Sequence, residues 1–325
     1  MRRLRLVPDQ THVNFFSPWA MRFWLAVSVL GMVLSIVLFL WKGLNYGVDF
    51  RGGTLIMTST EQEVSVGSYR DLLSGLDFGE VNVTEVSDDT GQGRHLMLMR
   101  LGIAGDDPDS QQHVIDEVQG ALQQSFPGIQ FLQIDSVGAK VSGELVWSGV
   151  LAVVLSFVGI GIYIWLRFEW QFALGAVVSL VHDALVTAGI FSILQLEFNL
   201  TIIAGILTVL GYSINDTVVV FDRVREVLRK YKKKPLAEVL NIALNETLSR
   251  TVMTSTTTLI ALFAVFFFGG PTVSGFAFAV IFGIVSGTYS SIWVASAIVL
   301  WLGVKRDWAT KGESKAGTQF GAGKA

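Results

Sequence analysis

Four ionisable side chains interrupt long apolar stretches of this sequence, and they are the residues best able to do chemistry. His182 and Asp183 lie near the middle of one apolar run, Asp216 lies in the second half of the next, and Arg250 precedes the one after that. A charge at the centre of a bilayer costs at least about 2.5–3.5 kcal/mol, so such residues usually carry ions or join helices. The sequence therefore indicates a polar site inside a membrane domain.

Asp216 has the surroundings expected of an ion carrier. It ends the motif GYSIND (211–216), in which Ser213 and Asn215 are polar neighbours. A carboxylate shielded from water beside a cation can take up and release a proton during a conformational cycle. Arg250 is the natural cation, because we expect both residues toward the cytoplasmic side. Two structural explanations stay open: the cluster could only join helices, and Arg250 could be a basic anchor at the membrane edge.

Two further polar groups have more than one interpretation. His182 with Asp183 predicts either a proton relay, because histidine titrates near neutral pH, or a hydrogen-bonded pair that fixes one helix against another. The fourth apolar run ends in four charged residues that water and head groups can reach. They favour a solvated ion-pair cluster over a direct coupling role, and they are Asp222, Arg223, Arg225 and Glu226.

Several classes of chemistry find no support in the sequence. The chain has no cysteine, which excludes disulfides, thiol catalysis and zinc–thiolate sites. No Walker A, HExxH, GxSxG or dinucleotide-binding pattern occurs, so we predict no enzyme activity and no bound cofactor. The acidic residues at 106, 107 and 109 lack the spacing and glycine of a calcium loop, so no metal site is predicted. A net charge of −3 gives no sign of nucleic acid binding.

Six membrane-spanning helices must position these residues. Hydrophobic residues make up 51% of the 325, and a spanning helix needs about 20 mostly apolar residues. No cleavage pattern of a signal peptide follows the first such run, which we expect to remain as a helix. The predicted spans are 22–41, 145–166, 172–194, 199–221, 252–270 and 273–303.

The distribution of basic residues predicts the orientation. Residues 42–143 contain six Lys and Arg against fifteen Asp and Glu, whereas the other eighteen basic residues lie outside that range. Cytoplasmic segments keep an excess of Lys and Arg. Both termini, 1–21 and 304–325, are therefore predicted to be cytoplasmic, and the composition of the C-terminal tail predicts disorder.

Residues 42–144 are predicted to form one folded domain on the far side of the membrane. Their apolar residues occur in short alternating runs in the order β-α-β-β-α-β, which is the ferredoxin-like arrangement, with VDFRGGTLIMTST as the first strand. The motif GVDFRGG is expected to let the chain turn from the first helix into that strand, and a binding role is the alternative. Its glycines and local hydrogen-bonding groups are Gly47, Asp49, Arg51, Gly52 and Gly53.

Two other stretches carry helical patterns. Residues 222–251 are too polar to span, yet they have apolar residues at helical spacing beside a KKK run. They predict a cytoplasmic amphipathic segment that lies on the inner leaflet, held by its apolar stripe and by anionic lipid. In the sixth span, Gly283 and Gly287 give the small-residue spacing of close helix packing, which Ser286, Ser290 and Ser291 extend.

Motifs along the whole chain resemble those of the SecF family, whose members are the smaller partners of SecD in bacterial protein export. The first of these motifs follows the predicted first span, and the last lies in the predicted sixth. The matching strings are GVDFRGG (47–53), VGAKVSGEL (137–145), RFEW (167–170), HD (182–183), GYSIND (211–216), VVVFDRVRE (218–226), SRTVMTSTTTL (249–259), FGGP (268–271) and GTYSSIWVAS (287–296).

The resemblance implies a subunit of the bacterial inner membrane with a periplasmic domain. With SecD it would form a pseudo-symmetric twelve-helix unit of the resistance-nodulation-division superfamily. That unit would use the proton or sodium motive force to assist late export of unfolded preproteins, after the SecYEG channel and SecA have started them, with YajC and YidC as accessory partners. In the family, the Asp of GYSxND and the Arg before TxxTSxTT are implicated in proton conduction, which corresponds to Asp216 and Arg250 here.

Two other classes of function fit less well. A drug- or lipid-exporting transporter of the same superfamily usually has both halves and two large periplasmic domains in one chain, whereas only residues 42–144 form such a domain here. An intramembrane aspartyl protease would need two facing carboxylates, for which Asp183 and Asp216 could be proposed. Its GxGD-type context is missing, however, and the two residues are expected at different depths.

Overall fold

Six long helices and a domain built on a four-stranded sheet make up most of the described part of the chain. The structure is a computed structural model that describes residues 11–76, 81–86, 94–102 and 108–304. Within these ranges, six helices are long and apolar enough to cross a membrane, and the sheet lies between the first two. The prediction of a polytopic helical membrane protein with one α+β domain is confirmed. The predicted tail, apart from Val304, and the acidic residues at 106 and 107 lie outside the described residues.

Helix α1 (Pro18–Trp41) is the first span, and it begins where Ser17 caps it. The Ser17 hydroxyl accepts a hydrogen bond from the backbone N–H of Ala20 at 3.3 Å. Such a cap satisfies one of the donors that a helix start leaves unpaired. Only Ser28 and Ser35 of this helix are buried, so α1 presents apolar side chains to lipid around most of its surface.

A short connection leads from α1 into the sheet, and it corrects one prediction. Strand β1 (Asn45–Tyr46) is followed by the one-turn helix α2 (Val48–Arg51). The prediction that VDFRGG begins the first strand is wrong, because the chain needs a helical turn to change direction above the membrane. Gly52 and Gly53 then follow with φ of 75° and 113°, a region that favours glycine.

The soluble domain is a four-stranded antiparallel sheet with two helices on one face. Its strand order is β3-β4-β2-β5, which is the predicted ferredoxin-like arrangement. Tyr69 and Leu73 from one helix and Leu122 from the other pack on Ile56 and Met99 of the sheet. In chain order the elements are β2 (Gly53–Thr60), α3 (Val66–Ser74), β3 (Val81–Val86), β4 (His95–Leu101), α4 (Pro108–Ser125) and β5 (Gln130–Val137).

Five further spans complete the membrane domain. The third, fourth and sixth spans are the most buried inside the protein, whereas the first, second and fifth have few buried residues. The sixth span is one continuous helix that contains a π-helical turn at Ser291–Ala295. The elements are α5 (Ala139–Arg167), α6 (Trp170–Leu194), β6 (Glu197–Phe198), α7 (Leu200–Lys230), α8 (Leu236–Phe268), α9 (Pro271–Ser290) and α10 (Ser296–Leu302).

Residues 222–251 are extensions of two spanning helices, and not separate helices on the membrane surface. Helix α7 continues to Lys230 and α8 starts at Leu236, so a short turn joins them. The prediction that the amphipathic segment lies on the inner leaflet is wrong, because its apolar stripes bury each other in a protein core. That core includes Phe221, Val224, Val227, Leu228, Val239, Leu240, Ala243 and Leu244.

The residues that precede α1 pack along this helical extension. The Asn245 side chain accepts a hydrogen bond from the Val13 backbone N–H and donates one to the Val13 carbonyl, each at 2.8 Å. One turn earlier, Asn241 accepts from the Phe15 N–H at 2.9 Å, and the Phe15 ring is buried in the core described above. The chain before α1 is therefore tied to α8.

Candidate functional site

Helices α7 and α9 approach each other so closely at two positions that no side-chain carbon fits there. A Cβ at Gly283 of α9 would lie 2.1 Å from Cγ2 of Val209 on α7, and one at Gly287 would lie 2.9 Å from Cβ of Ser213. The close packing predicted for Gly283 and Gly287 is confirmed. The close approach also brings polar side chains from three helices into contact.

Asp183 of α6 is the centre of this contact, and it is fully buried. Its Oδ2 accepts hydrogen bonds from the hydroxyls of Ser213 at 2.7 Å and Ser290 at 2.8 Å. Its Oδ1 accepts one from Ser286 at 2.8 Å and lies 3.1 Å from Nδ1 of His182. The carboxylate therefore joins α6, α7 and α9.

The contacts of Asp183 suit a structural anchor better than a proton carrier. An ionised carboxylate has about four acceptor positions, and the three hydroxyls together with the His182 ring nitrogen occupy them. A buried charge is tolerated when hydrogen bonds satisfy it in this way. Of the two interpretations of His182 with Asp183, this geometry favours the pair that fixes helices. It also argues against Asp183 as one of two protease carboxylates.

Asp216 lies one helical turn beyond Ser213 on α7, and its hydrogen bonding is the opposite of that of Asp183. Its side chain is 3% exposed, yet its Oδ2 has no hydrogen-bond partner in the described part of the chain. A buried carboxylate oxygen without a partner is costly, so it needs a proton, an ion or a group from a partner protein. Asp216 is therefore the carboxylate here that is free to bind one.

Arg250 of α8 is the cation whose charge acts on Asp216. No direct ion pair joins the two residues within the described ranges, and Arg250 itself is exposed. Helices α7 and α8 pack against each other, so a small shift between them would change the separation of the two charges. The two residues therefore form no permanent salt bridge within the described ranges.

The two predicted polar neighbours of Asp216 do not contact it. Ser213 donates its hydroxyl to Asp183, and Asn215 is exposed on the outer face of α7. Ser286 and Ser290, in contrast, were predicted only to pack helices, and the structure makes them ligands of a carboxylate. Their spacing of four residues in an apolar run was the only signal for this role.

Polar contacts continue from His182 toward the first span. The His182 ring lies 6.0 Å from that of Tyr289 on α9. The Tyr289 hydroxyl donates to the Trp24 carbonyl at 2.6 Å and lies 2.7 Å from the Ser28 hydroxyl. Because Trp24 and Ser28 belong to α1, these contacts attach the outer first helix to the central three.

The predicted charge cluster at the end of the fourth span forms exposed ion pairs. Arg223 pairs with Glu226 and with Glu246 of α8, and Asp222 lies 3.6 Å from Arg167. The guanidinium of Arg225 also donates to the Arg167 carbonyl at 3.1 Å. These contacts join α7 to α8 and to the end of α5, as the interpretation of a solvated ion-pair cluster requires.

The GVDFRGG motif lies at the opposite end of α7. Oδ2 of Asp49 accepts a hydrogen bond from the backbone N–H of Leu200 at 2.9 Å, at the start of that helix. A Cβ at Gly47 would lie 2.6 Å from Oε1 of Glu197 and 3.1 Å from Cβ of Asn199, so a larger residue there would displace the Glu197 side chain. Arg51 is exposed and lines a cavity of about 460 Å³ with Arg100 of β4.

Comparison with known proteins identifies relatives of the whole chain. The family profile described as "Protein export membrane protein SecD/SecF, C-terminal" matches residues 117–305, and that of the "SecD/SecF GG Motif" matches residues 38–64. The protein translocase subunit SecF of Cereibacter sphaeroides is 52% identical over 98% of each chain. The SecF subunit of Rickettsia bellii is 40% identical over 91% of this chain and 95% of its own.

Solved structures of SecDF have the same fold. The crystal structure of SecDF from Thermus thermophilus, described as a translocon-associated membrane protein, matches with a TM-score of 0.79 and 35% identity. The match covers 91% of this chain and 39% of the SecDF chain. A SecDF structure in a "Super-membrane-facing form" matches with a TM-score of 0.62 and 34% identity, and covers 96% and 41% of the two chains. This chain thus spans about two fifths of each SecDF chain.

Proposed function

This chain belongs to the SecD/SecF family of protein export membrane proteins, and we propose that it couples the proton motive force to late preprotein export through Asp216. It is a multi-pass membrane protein and a subunit of the protein translocase, with SecD as its partner. The proposed role is non-enzymatic. The single observation that carries the proposal is the buried Asp216 oxygen, which lacks a hydrogen-bond partner in the part of the chain that the structure describes.

Protonation of Asp216 would change the forces between α7 and its neighbours. In the ionised state the carboxylate is drawn toward Arg250 on α8 or toward a cationic group of SecD, because a buried charge needs a counter-charge. A bound proton removes the charge and with it this attraction. Moving one charge through 100 mV releases about 2.3 kcal/mol, so a few protons in each cycle could drive a rearrangement of helices.

The Asp183 contacts decide which helices would move together. Because Ser213, Ser286 and Ser290 all donate to Asp183, a shift of α7 would take α6 and α9 with it. Asp216 would then move with this three-helix unit, while Arg250 would stay with α8. The ion-dependent change is therefore a displacement between the three-helix unit and α8, or between that unit and SecD.

A proton fits the site better than a sodium ion. A metal cation needs several oxygen ligands at once, as hard cations in proteins show. Ser213, one turn before Asp216 on α7, already donates its hydroxyl to Asp183. A single carboxylate oxygen without partners is enough to bind a proton, and sodium remains the alternative for the test below.

The outer face of α7 supports contact with SecD. Thr208, Gly211 and Asn215 are exposed there at helical spacing. An amide such as Asn215 is unfavourable in lipid, whereas small and polar residues pack well against a second helix. We infer that a SecD helix covers this face beside Asp216, and that SecYEG, SecA, YajC, YidC and the unfolded preprotein act with the assembled pair.

The distribution of charge supports an inner-membrane location with cytoplasmic termini and a periplasmic sheet domain. Eight of the basic residues lie in 222–251, which form the extended ends of α7 and α8. Positive charge is retained on the cytoplasmic side. In this orientation Asp216 lies toward the cytoplasm and Asp49 lies toward the periplasm.

The test measures ion flux and preprotein translocation in membrane vesicles that contain the SecD partner. We expect Asp216→Asn to abolish both the flux and the gradient-dependent stage of translocation, while the complex with SecD still assembles. Asp222→Asn is the matched control, because that carboxylate lies on the same helix but is exposed, and it should keep both activities. If the flux depends on a pH gradient and persists in the absence of sodium, the proton is the coupling ion.

Persistence of both activities in Asp216→Asn would refute the proposal. Asp216 would then be a packing residue, and the ion path would have to lie elsewhere. If the flux is lost in the absence of sodium but persists in the absence of a pH gradient, Asp216 remains the coupling residue and sodium is the coupling ion.

A further inference from the structure

The segment of the GVDFRGG motif contacts three other parts of the chain at the periplasmic end of the membrane domain. The Gly47 backbone N–H donates to the Phe198 carbonyl at 2.9 Å, next to the pairing of β1 with β6. The Ser142 hydroxyl of α5 lies 3.0 Å from the Asp49 carbonyl, to which it donates. Helix α2 is therefore bonded to the α6–α7 connection and to α5 before the chain enters the sheet.

The side chain of Asp49 makes the contact with α7 itself. Its carboxylate accepts a hydrogen bond from the Leu200 N–H at 2.9 Å, and Asn199 accepts one from the Ile202 N–H at 3.1 Å. The first N–H groups of a helix have no partner within it, and its N-terminus carries partial positive charge. A carboxylate is the strongest acceptor for such a group. Asp49 and Asn199 thus share the start of α7, but only Asp49 belongs to another element.

A rigid path connects Asp49 to the sheet on one side and to Asp216 on the other. Helix α2 is followed after Gly52 by β2, the inner strand that pairs with both β4 and β5. A Cβ at Gly53 would lie 2.3 Å from the Leu101 carbonyl oxygen of β4, so the backbone at this junction packs directly against β4. On the other side, α7 is unbroken from Leu200 to Lys230, and Asp216 is about 24 Å along it at 1.5 Å per residue.

A second contact joins the same two parts. Arg100 of β4 forms an ion pair with Glu197 of β6, immediately before α7. Both side chains are mostly buried, so the pair is shielded from solvent. The sheet domain is therefore attached to the start of α7 by Asp49 through α2 and by Arg100 directly.

We propose that Asp49 is a positioning residue that transmits displacement of α7 to the periplasmic sheet domain. When α7 moves along or about its axis, the Leu200 N–H moves with it, and the Asp49 carboxylate carries α2 and β2 in the same direction. This inference rests on the proposed function, because it is the titration of Asp216 that would move α7. Loss of one charge-assisted hydrogen bond changes an equilibrium by roughly tenfold or more, and the coupling should fall by that factor.

The absence of cysteine from the chain makes a direct distance measurement possible. Spin labels would be attached at Gln124→Cys on α4 and at Phe268→Cys at the end of α8, which lies outside the three-helix unit; both positions are exposed. The distance between them would be measured in the complex with SecD, with Asp216 intact and with Asp216→Asn as a mimic of the protonated state. We expect Asp216→Asn to shift the distance distribution in the otherwise unchanged chain.

Three variants test the role of Asp49 in that shift. Asp49→Ala should reduce it strongly, with only the Arg100–Glu197 pair left as a side-chain attachment, and should reduce gradient-dependent translocation roughly tenfold while ion flux is kept. Asp49→Asn keeps an acceptor oxygen without the charge and should retain part of the shift. The controls are Asn199→Ala, which removes the other cap of α7 but no link to the sheet, and Asp71→Ala at an exposed position of α3; both should keep the full shift.

The outcomes separate this inference from the proposed function. A full shift in both Asp49→Ala and Asp49→Asn would overturn the inference and leave the role of Asp216 intact. If Asp49→Ala does not assemble with SecD, Asp49→Asn alone decides, and a full shift in that variant overturns the inference. Absence of any shift in Asp216→Asn, together with unchanged flux, would refute the proposed function itself.

Discussion

Substitution of Asp183 should destabilise the protein without abolishing ion flux. Three serine hydroxyls from α7 and α9 donate to its carboxylate at 2.7–2.8 Å. A hydrogen bond between membrane helices contributes about 0.6 kcal/mol on average and about 1.7 at most. Loss of all three in Asp183→Ala should therefore lower the free energy of unfolding by about 2 kcal/mol, with about 5 as the upper bound.

Removal of the donors should cost more than removal of the acceptor. If Ser213, Ser286 and Ser290 are all changed to alanine, an ionised carboxylate remains buried with only His182 beside it. Breaking a buried ionic contact by removal of one side costs about 3–5 kcal/mol. The triple serine variant should thus be at least as unstable as Asp183→Ala, and Asp183→Ala added to it should restore part of the stability.

The assay is reversible unfolding of the complex with SecD in mixed detergent micelles, combined with flux in vesicles for each folded variant. Ser156→Ala is the matched control, because its hydroxyl donates only to the Ala152 carbonyl of its own helix α5 at 2.7 Å. It should change the free energy of unfolding by less than about 0.5 kcal/mol. An Asp183→Asn variant with normal stability but no flux would refute this reasoning and establish a proton relay through His182 and Asp183.

Two further predictions follow from packing and burial. Gly283→Ala should destabilise the protein by about 1–3 kcal/mol, because its Cβ would meet the branched side chain of Val209 at 2.1 Å. The control Gly159→Ala, which has open space around it, should not lower the melting temperature. Equal melting temperatures for the two variants would contradict the prediction. Burial raises the pKa of Tyr69 above its usual 10.0, so the unfolded chain loses this proton first and the contribution to stability is lost as pH rises past about 10. Tyr69→Phe should remove this alkaline loss in limited proteolysis of the sheet domain, and an unchanged pH dependence would count against it.

The sequence alone determined the features that depend on local pattern. Six apolar runs of spanning length predicted six helices, because a bilayer demands about 20 apolar residues in each. Alternation of apolar residues predicted the ferredoxin-like sheet order, since the period of two marks strands. The rarity of charge within spans likewise singled out His182, Asp183, Asp216 and Arg250.

The local sequence pattern gave wrong predictions where a segment could bury its apolar face in more than one way. The apolar stripes in 222–251 could lie on a membrane surface or pack against each other. The antiparallel packing of α7 on α8 shows that they pack against each other. The same holds for Val48–Arg51, whose residues suit a strand, while the turn above the membrane makes them helical.

Tertiary structure decided which residues far apart in the sequence are hydrogen-bond partners. Ser286 and Ser290 follow Asp183 by more than a hundred residues, and Leu200 follows Asp49 by 151, so no periodicity connects them. Helix packing brought Ser213 to Asp183 and left Oδ2 of Asp216, on the same face, without a hydrogen-bond partner among the described residues. The sequence thus determined which side chains are costly to bury, and the fold decided which of them are satisfied, because hydrogen bonds depend on distances in space.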